Sequence, residues 1–130
     1  MFYSCNETTK TENPFFSSFD TPNGTPPFDK IKAEHYLPAF EEGMKQHAAE
    51  IDAIVNNTEK PTFENTLVAL DESGQMLNRV SSVFFAMSGT CSDSTLQAIE
   101  KEIRPKLTGH YDNISLNEDL FARIKIIHYD

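Results

Sequence analysis

Four histidines are the side chains in this 130-residue chain best suited to chemistry: His35, His47, His110 and His128. A helical zinc site presents two imidazoles one turn apart, and none of the four has a second histidine four residues away. His47 and Glu50 stand three apart, the spacing of a weak chelate on one helical face, but no third ligand follows at a suitable interval. The pair therefore reads as solvated polar surface, and His35 as a ring that packs or hydrogen-bonds. Nucleophilic chemistry fares no better. There is no Gly-x-Ser-x-Gly elbow, and Cys91 has no neighbours that would lower its pKa. Glu41-Glu42 and Glu118-Asp119 are carboxylate pairs, but such pairs do acid–base work only where their surroundings split their pKa values. The five glycines are scattered, so no phosphate loop exists. The residues predict no catalytic, cofactor-binding or metal-binding site in this chain.

The elements that would position these residues are helical. Residues 1–30 are dense in turn pairs: Asn13-Pro14, Thr21-Pro22, Asn23-Gly24 and Pro26-Pro27. Phe15, Phe16, Phe19 and Phe28 are interleaved with them, which predicts a polar flexible tail over 1–13 and an extended arm packed on the body from Pro14. Leu37, Phe40, Met44, Ala48, Ile51 and Val55 then recur at helical spacing, with Pro38 in the first turn and Asn56-Asn57 as the stop. Thr62 is a good N-cap for a second, long and central helix. Its stripe is Phe63, Leu67, Leu70, Leu77, Val80, Phe84 and Met87, with Gly74 where a neighbouring helix approaches. Gly89-Thr90-Cys91-Ser92 reads as a loop, and Ser92 or Asp93 caps a third helix carrying Leu96, Ile99, Ile103 and Leu107. Pro105 inside it predicts a kink or a split. Ser115 and Glu118 have capping-box spacing for a fourth helix with Leu120, Phe121, Ile124 and Ile127 on one face. The expected fold is all-α: an antiparallel bundle of about four helices preceded by a Pro/Phe-rich arm.

Composition bounds the partners. The net charge of −9 disfavours nucleic acid, and no apolar run is long enough to cross a bilayer. Cys5 and Cys91 are too sparse for a disulfide framework. Met1-Phe2-Tyr3-Ser4-Cys5-Asn6-Glu7 resembles the end of a bacterial lipoprotein signal, with Cys5 lipidated and residues 6–13 as tether. The competing reading is a disordered tail with an incidental thiol. The first implies a periplasmic or lipid-anchored envelope protein, the second a cytoplasmic one.

Several spaced blocks carry a resemblance. Asn13-Pro14-Phe15-Phe16, Pro26-Pro27-Phe28-Asp29-Lys30-Ile31 and His35-Tyr36-Leu37-Pro38-Ala39-Phe40 come first. Pro61-Thr62-Phe63-Glu64-Asn65-Thr66, Ala69-Leu70, Ser73-Gly74, Arg79-Val80 and Val83-Phe84-Phe85 follow. Ser115-Leu116-Asn117-Glu118 and Leu120-Phe121-Ala122-Arg123 complete the order. Together they resemble the N-terminal region of the thimet oligopeptidase-like zinc metallopeptidases, over about Asn13 to Asp130. The resemblance implies a helical enzyme with a deep channel, and zinc held by a His-Glu-x-x-His helix and a downstream Glu. It also implies release of C-terminal dipeptides from short peptides by the family's peptidyl-dipeptidases. This chain has no such motif, so zinc belongs to the parent and none to the chain. Residues 14–130 are then the helical wall or cap of a longer enzyme, inactive alone. The expected partners are the remainder of the parent chain and short peptides. A stand-alone helical adaptor that binds a peptide or protein is the alternative. A truncated piece would expose apolar surface on its second and fourth helices and tend to self-associate.

Overall fold

The structure, a computed structural model, describes residues 13–90 and 93–129. Cys5, Cys91 and Ser92 lie outside the described residues, as does nearly all of the tail. Every regular element described is helical. A 3-10 turn over Ala33–His35 leads into α1, Tyr36–Val55. A wide π-type turn, Phe63–Val68, runs into the short α2, Ala69–Glu72. Then come α3 (Gln75–Thr90), α4 (Ser94–Ser115) and α5 (Glu118–Tyr129). This is the all-α bundle expected, with one redistribution of its helices.

That redistribution lies at Ser73-Gly74, where the long second helix breaks. Ser73 is extended, with ψ 154°. Gly74 has φ +73°, a left-handed value that a side chain resists. The expected stripe ran through Gly74 because α2 and α3 both feed the interior, which hydrophobic spacing alone reads as one helix. Thr62 caps the segment as expected: its Oγ accepts from Asn65 N at 3.1 Å, and Asn65 Oδ1 accepts from Thr62 N at 2.8 Å.

Three further expectations shift. Gly89 and Thr90 are the last residues of α3 rather than loop, and Thr90 Oγ1 donates to Ala86 O at 2.9 Å. Pro105 does not split α4, which runs continuously from Ser94 with Asp93 as its cap. Pro105 lies on the solvent face beside Lys101 and Glu102, where water can satisfy the carbonyl that loses its N–H donor. Ser115 ends α4 instead of opening α5; Asn117 Oδ1 accepts from Leu120 N at 3.0 Å and does the capping.

Close approaches fix the topology. Phe40 meets Phe84 with ring centroids 5.4 Å apart, Gly43 faces Leu77, and His47 faces Gly74, so α1 and α3 run antiparallel. Ser88 bonds Glu100 at 3.1 Å and Arg104 lies 5.3 Å from the Phe85 ring, so α3 and α4 are antiparallel too. The arm joins at Phe15, which is fully buried between Phe19 and Tyr36. Asn13 is already part of this packed arm: it is buried, and its Nδ2 donates to His35 O at 2.8 Å. Arg79 Nη2 donates to Phe15 O at 2.9 Å, with its guanidinium 5.2 Å from the Phe19 ring. Phe16 and Phe28 stay exposed.

Two apolar cores result. The larger gathers Phe15, Tyr36, Phe40, Leu77, Val80, Phe84 and Ile103 among others. The smaller holds Ile51, Ile54 and Leu120, with Val55, Ala69, Leu70, Ile114 and Ile124 around them. Arg123 closes the smaller core, buried, donating from Nη1 to Asn57 O at 2.8 Å and from Nη2 to Asn65 Oδ1 at 3.2 Å.

Candidate functional site

The buried line of α1 runs Ala39, Phe40, Gly43, His47, Ile51 and Ile54. His47 therefore points inward although the residues around it read as a surface pair. Its Nδ1 lies 2.8 Å from His110 Nε2 on α4, and its Nε2 lies 3.1 Å from Ser73 Oγ in the α2–α3 break. Gly74 makes room for the ring; a Cβ there would sit 3.1 Å from three ring atoms. Glu50 does not chelate with His47, since its Oε2 accepts from Gly74 N at 2.7 Å and so caps the start of α3.

Hydrogen-bond direction follows from the last acceptor. Ser73 Oγ donates to Leu70 O at 2.5 Å, so it must accept from His47 Nε2–H. In the neutral ring Nδ1 is then the acceptor, and His110 supplies Nε2–H to it. The chain runs His110 to His47 to Ser73 to Leu70, all pointing one way. Burial pushes both rings below the ordinary histidine pKa. Glu50 opposes this at His47, and His47 adds to it at His110. A serine whose proton is committed to a carbonyl is not a nucleophile, so the arrangement clamps three elements rather than attacking a substrate.

The remaining sequence candidates stay apart. His35 is buried, its Nδ1 accepting from Lys32 N at 2.9 Å, and it packs and bonds as expected of it. His128 sits in the last turn of α5. Glu41 pairs with Lys106 at 3.4 Å and Glu42 with Lys45 at 4.0 Å, both exposed. Glu118 and Asp119 open α5, where they favour its helix dipole. Among the described residues no group of three or more His, Asp or Glu side chains is placed to hold a metal ion. The His47–His110 contact has no signature in spacing, because the two residues are 63 apart in sequence.

A second feature is a surface. Of the eight large apolar residues exposed among those described, Leu116 (78%), Phe121 (64%), Ile126 (44%) and Tyr129 (76%) fall in or just before α5. Its inner face uses Leu120, Arg123, Ile124 and Ile127, so Phe121, expected inside with them, faces out. Ala122, Lys125, Ile126 and Tyr129 line a shallow groove on that outer side. The expectation of exposed apolar surface on the last helix is met.

Comparison with known proteins places this arrangement. No family model matches the chain. Dipeptidyl carboxypeptidase of Escherichia coli is 44% identical over 117 residues, which is 90% of this chain and 17% of that protein. The Salmonella typhimurium protein of the same name is 44% identical over 115 residues, 88% of this chain and 17% of that one. The chain is a relative of the dipeptidyl carboxypeptidases. Oligopeptidase A of Salmonella typhimurium is a more distant match, 25% identical over 109 residues and 15% of its length. The chain thus spans about a sixth of the curated relatives it matches, 17% in both dipeptidyl carboxypeptidases.

Proposed function

We propose that this chain is the helical wall or cap region of a larger zinc peptidase that removes dipeptides from the C-terminus of short peptides. The supporting observation is identity spread over 90% of this chain but only 17% of a dipeptidyl carboxypeptidase. In this reading the zinc and its general base lie in the remainder of the parent. Zinc there would supply Lewis-acid polarisation of the scissile carbonyl. This chain's part is to limit access: a rigid bundle of packed helices excludes folded proteins and admits extended peptides.

The outer face of α5 is where the rest of the parent packs. Phe121, Ile126 and Tyr129 occupy the side of α5 away from its own core, and covering them removes exposed apolar surface from water. The test is the size of the native protein in its source cells, probed with an antibody against this chain. A band several-fold above 14.7 kDa is expected. A band at 14.7 kDa itself would overturn the reading and leave a free-standing helical adaptor.

A further inference from the structure

His47 and His110 lie at the seam between the two cores. On α1, Phe40 and Met44 precede His47 and belong with the larger core, while Ile51 and Ile54 follow it and belong with the smaller. On α4, Leu107 and Ile114 flank His110 in the same way. Around the break, Leu70 and Leu77 flank Ser73 likewise. Three elements pass from one core to the other at one level, and a one-way chain of polar hydrogen bonds occupies that level.

We propose that the His47–His110 pair is an acid-sensitive joint that couples the two cores when neutral and releases the smaller core once both rings are protonated. The geometry dictates the order of events. In the neutral pair one N–H lies between Nδ1 and Nε2, 2.8 Å apart. A first proton enters at His110 Nδ1 and leaves that bond intact. A second proton puts N–H groups on both facing nitrogens and sets two cations side by side, so the bond is lost.

The surroundings absorb the second charge only in part. From α1 the facing charge is Glu50, whose carboxylate favours a cation at His47 by less than burial disfavours it and also accepts from Gly74 N. From α4 it is the Tyr111 ring, 6.1 Å from His47 and neutral across this range. The break offers only the Ser73 hydroxyl and the Gly74 backbone. From α5 the charged side chain at the smaller core is Arg123, which is bonded to Asn57 and Asn65 and has the wrong sign.

The sign of the pH effect follows. The unfolded chain protonates both rings near pH 6.5, whereas the folded chain holds fewer protons there. Stability therefore rises with pH through this window and falls as pH drops from about 6.5 toward the lowered folded values. Each withheld proton changes the closed-to-open ratio by about tenfold per pH unit. The weaker partner in the opening is the smaller core, because it has three fully placed apolar residues against thirteen in the larger.

The experiment is native-state hydrogen exchange on this chain at pH 7.5 and 5.0, corrected for intrinsic exchange rates. Amides of α5 and the end of α4 should lose about tenfold or more of their protection at pH 5.0 while those of α3 keep theirs. His110→Gln keeps a donor for His47 Nδ1 but removes one titrating ring, so the response should shrink. Equal loss in both cores, no loss in either, or an undiminished response in His110→Gln would each overturn the joint. Should His110→Gln fail to fold, ring-nitrogen NMR of the unaltered chain decides. Two linked titration steps support the joint; two independent ones at the ordinary histidine value sink it.

Discussion

Replacing Gly43 with alanine puts two effects of known size in opposition. A glycine inside a helix costs roughly 0.5–1 kcal/mol relative to alanine, so Gly43→Ala gains that much from backbone entropy. The added Cβ would meet Leu77 at 3.0 Å from Cα, 3.2 Å from N and 3.3 Å from Cβ. Unstrained carbon pairs sit at about 3.5–4.0 Å, and the atoms met are mostly helix backbone, which cannot swing aside. The α1 and α3 axes must therefore part by about 0.5–1 Å, which forfeits a quarter to a half of each affected dispersion contact. The Phe40–Phe84 contact, 5.4 Å between centroids, and the His47 stack on Gly74 lie on the same line. Overpacking of this kind costs about 1–3 kcal/mol, so the net effect runs from about zero to a loss of about 2.5 kcal/mol, with no net gain. Gly109 is the internal control. It lies inside α4, and a Cβ added there would meet nothing within 4 Å. Gly109→Ala should therefore gain the full amount, about 0.5–1 kcal/mol. Urea denaturation at constant m-value reads both. Equal stabilisation by the two substitutions would refute the close α1–α3 approach.

Further outcomes follow from the same geometry. Asn13→Ala removes the Nδ2 bond to His35 O and the Oδ1 bond from Phe15 N, and should cost about 1–2 kcal/mol in thermal unfolding. It should also make the arm a faster target for limited proteolysis. Pro105→Ala restores a helical N–H in α4 and should stabilise by about 1 kcal/mol or more, read by the same urea titration. The double change Phe121→Ser with Tyr129→Ser touches exposed side chains and should leave this chain within about 0.5 kcal/mol of its starting stability. If the rest of a longer parent packs on this face as proposed, the same pair should cost about 2 kcal/mol or more there.

The helices were legible from spacing wherever the buried line is apolar. On α4, Leu96, Ile99, Ile103 and Leu107 are all buried, and they are the residues the pattern selects. On α1 the pattern selects a face about one residue off, taking in Ala48, which is exposed, and leaving out His47, which is buried. The cause is that two inner positions carry Gly43 and His47, to which hydrophobic spacing gives no weight. The break at Ser73-Gly74 hid for the opposite reason: both sides are apolar at helical spacing, and only the extended Ser73 and the positive φ of Gly74 separate them. The His47–His110 contact depends on how α1 and α4 pack, so no local pattern could disclose it.

These misreadings coincide in space, and that has a physical meaning. Gly43, His47, Ser73 and Gly74 are the small or polar residues that let α1 meet the start of α3 at backbone distance. Close approach leaves no volume for large apolar side chains at that level, so the interior divides there into two cores. The smaller core rests on Ile51, Ile54 and Leu120, while α5 turns Phe121, Ile126 and Tyr129 to solvent. An element that turns large apolar side chains outward gains stability when that face is covered. The segment with the weakest internal hold is thus also one that further polypeptide would hold. Acid opening at the seam should accordingly be easier in this chain alone than with the outer face of α5 covered.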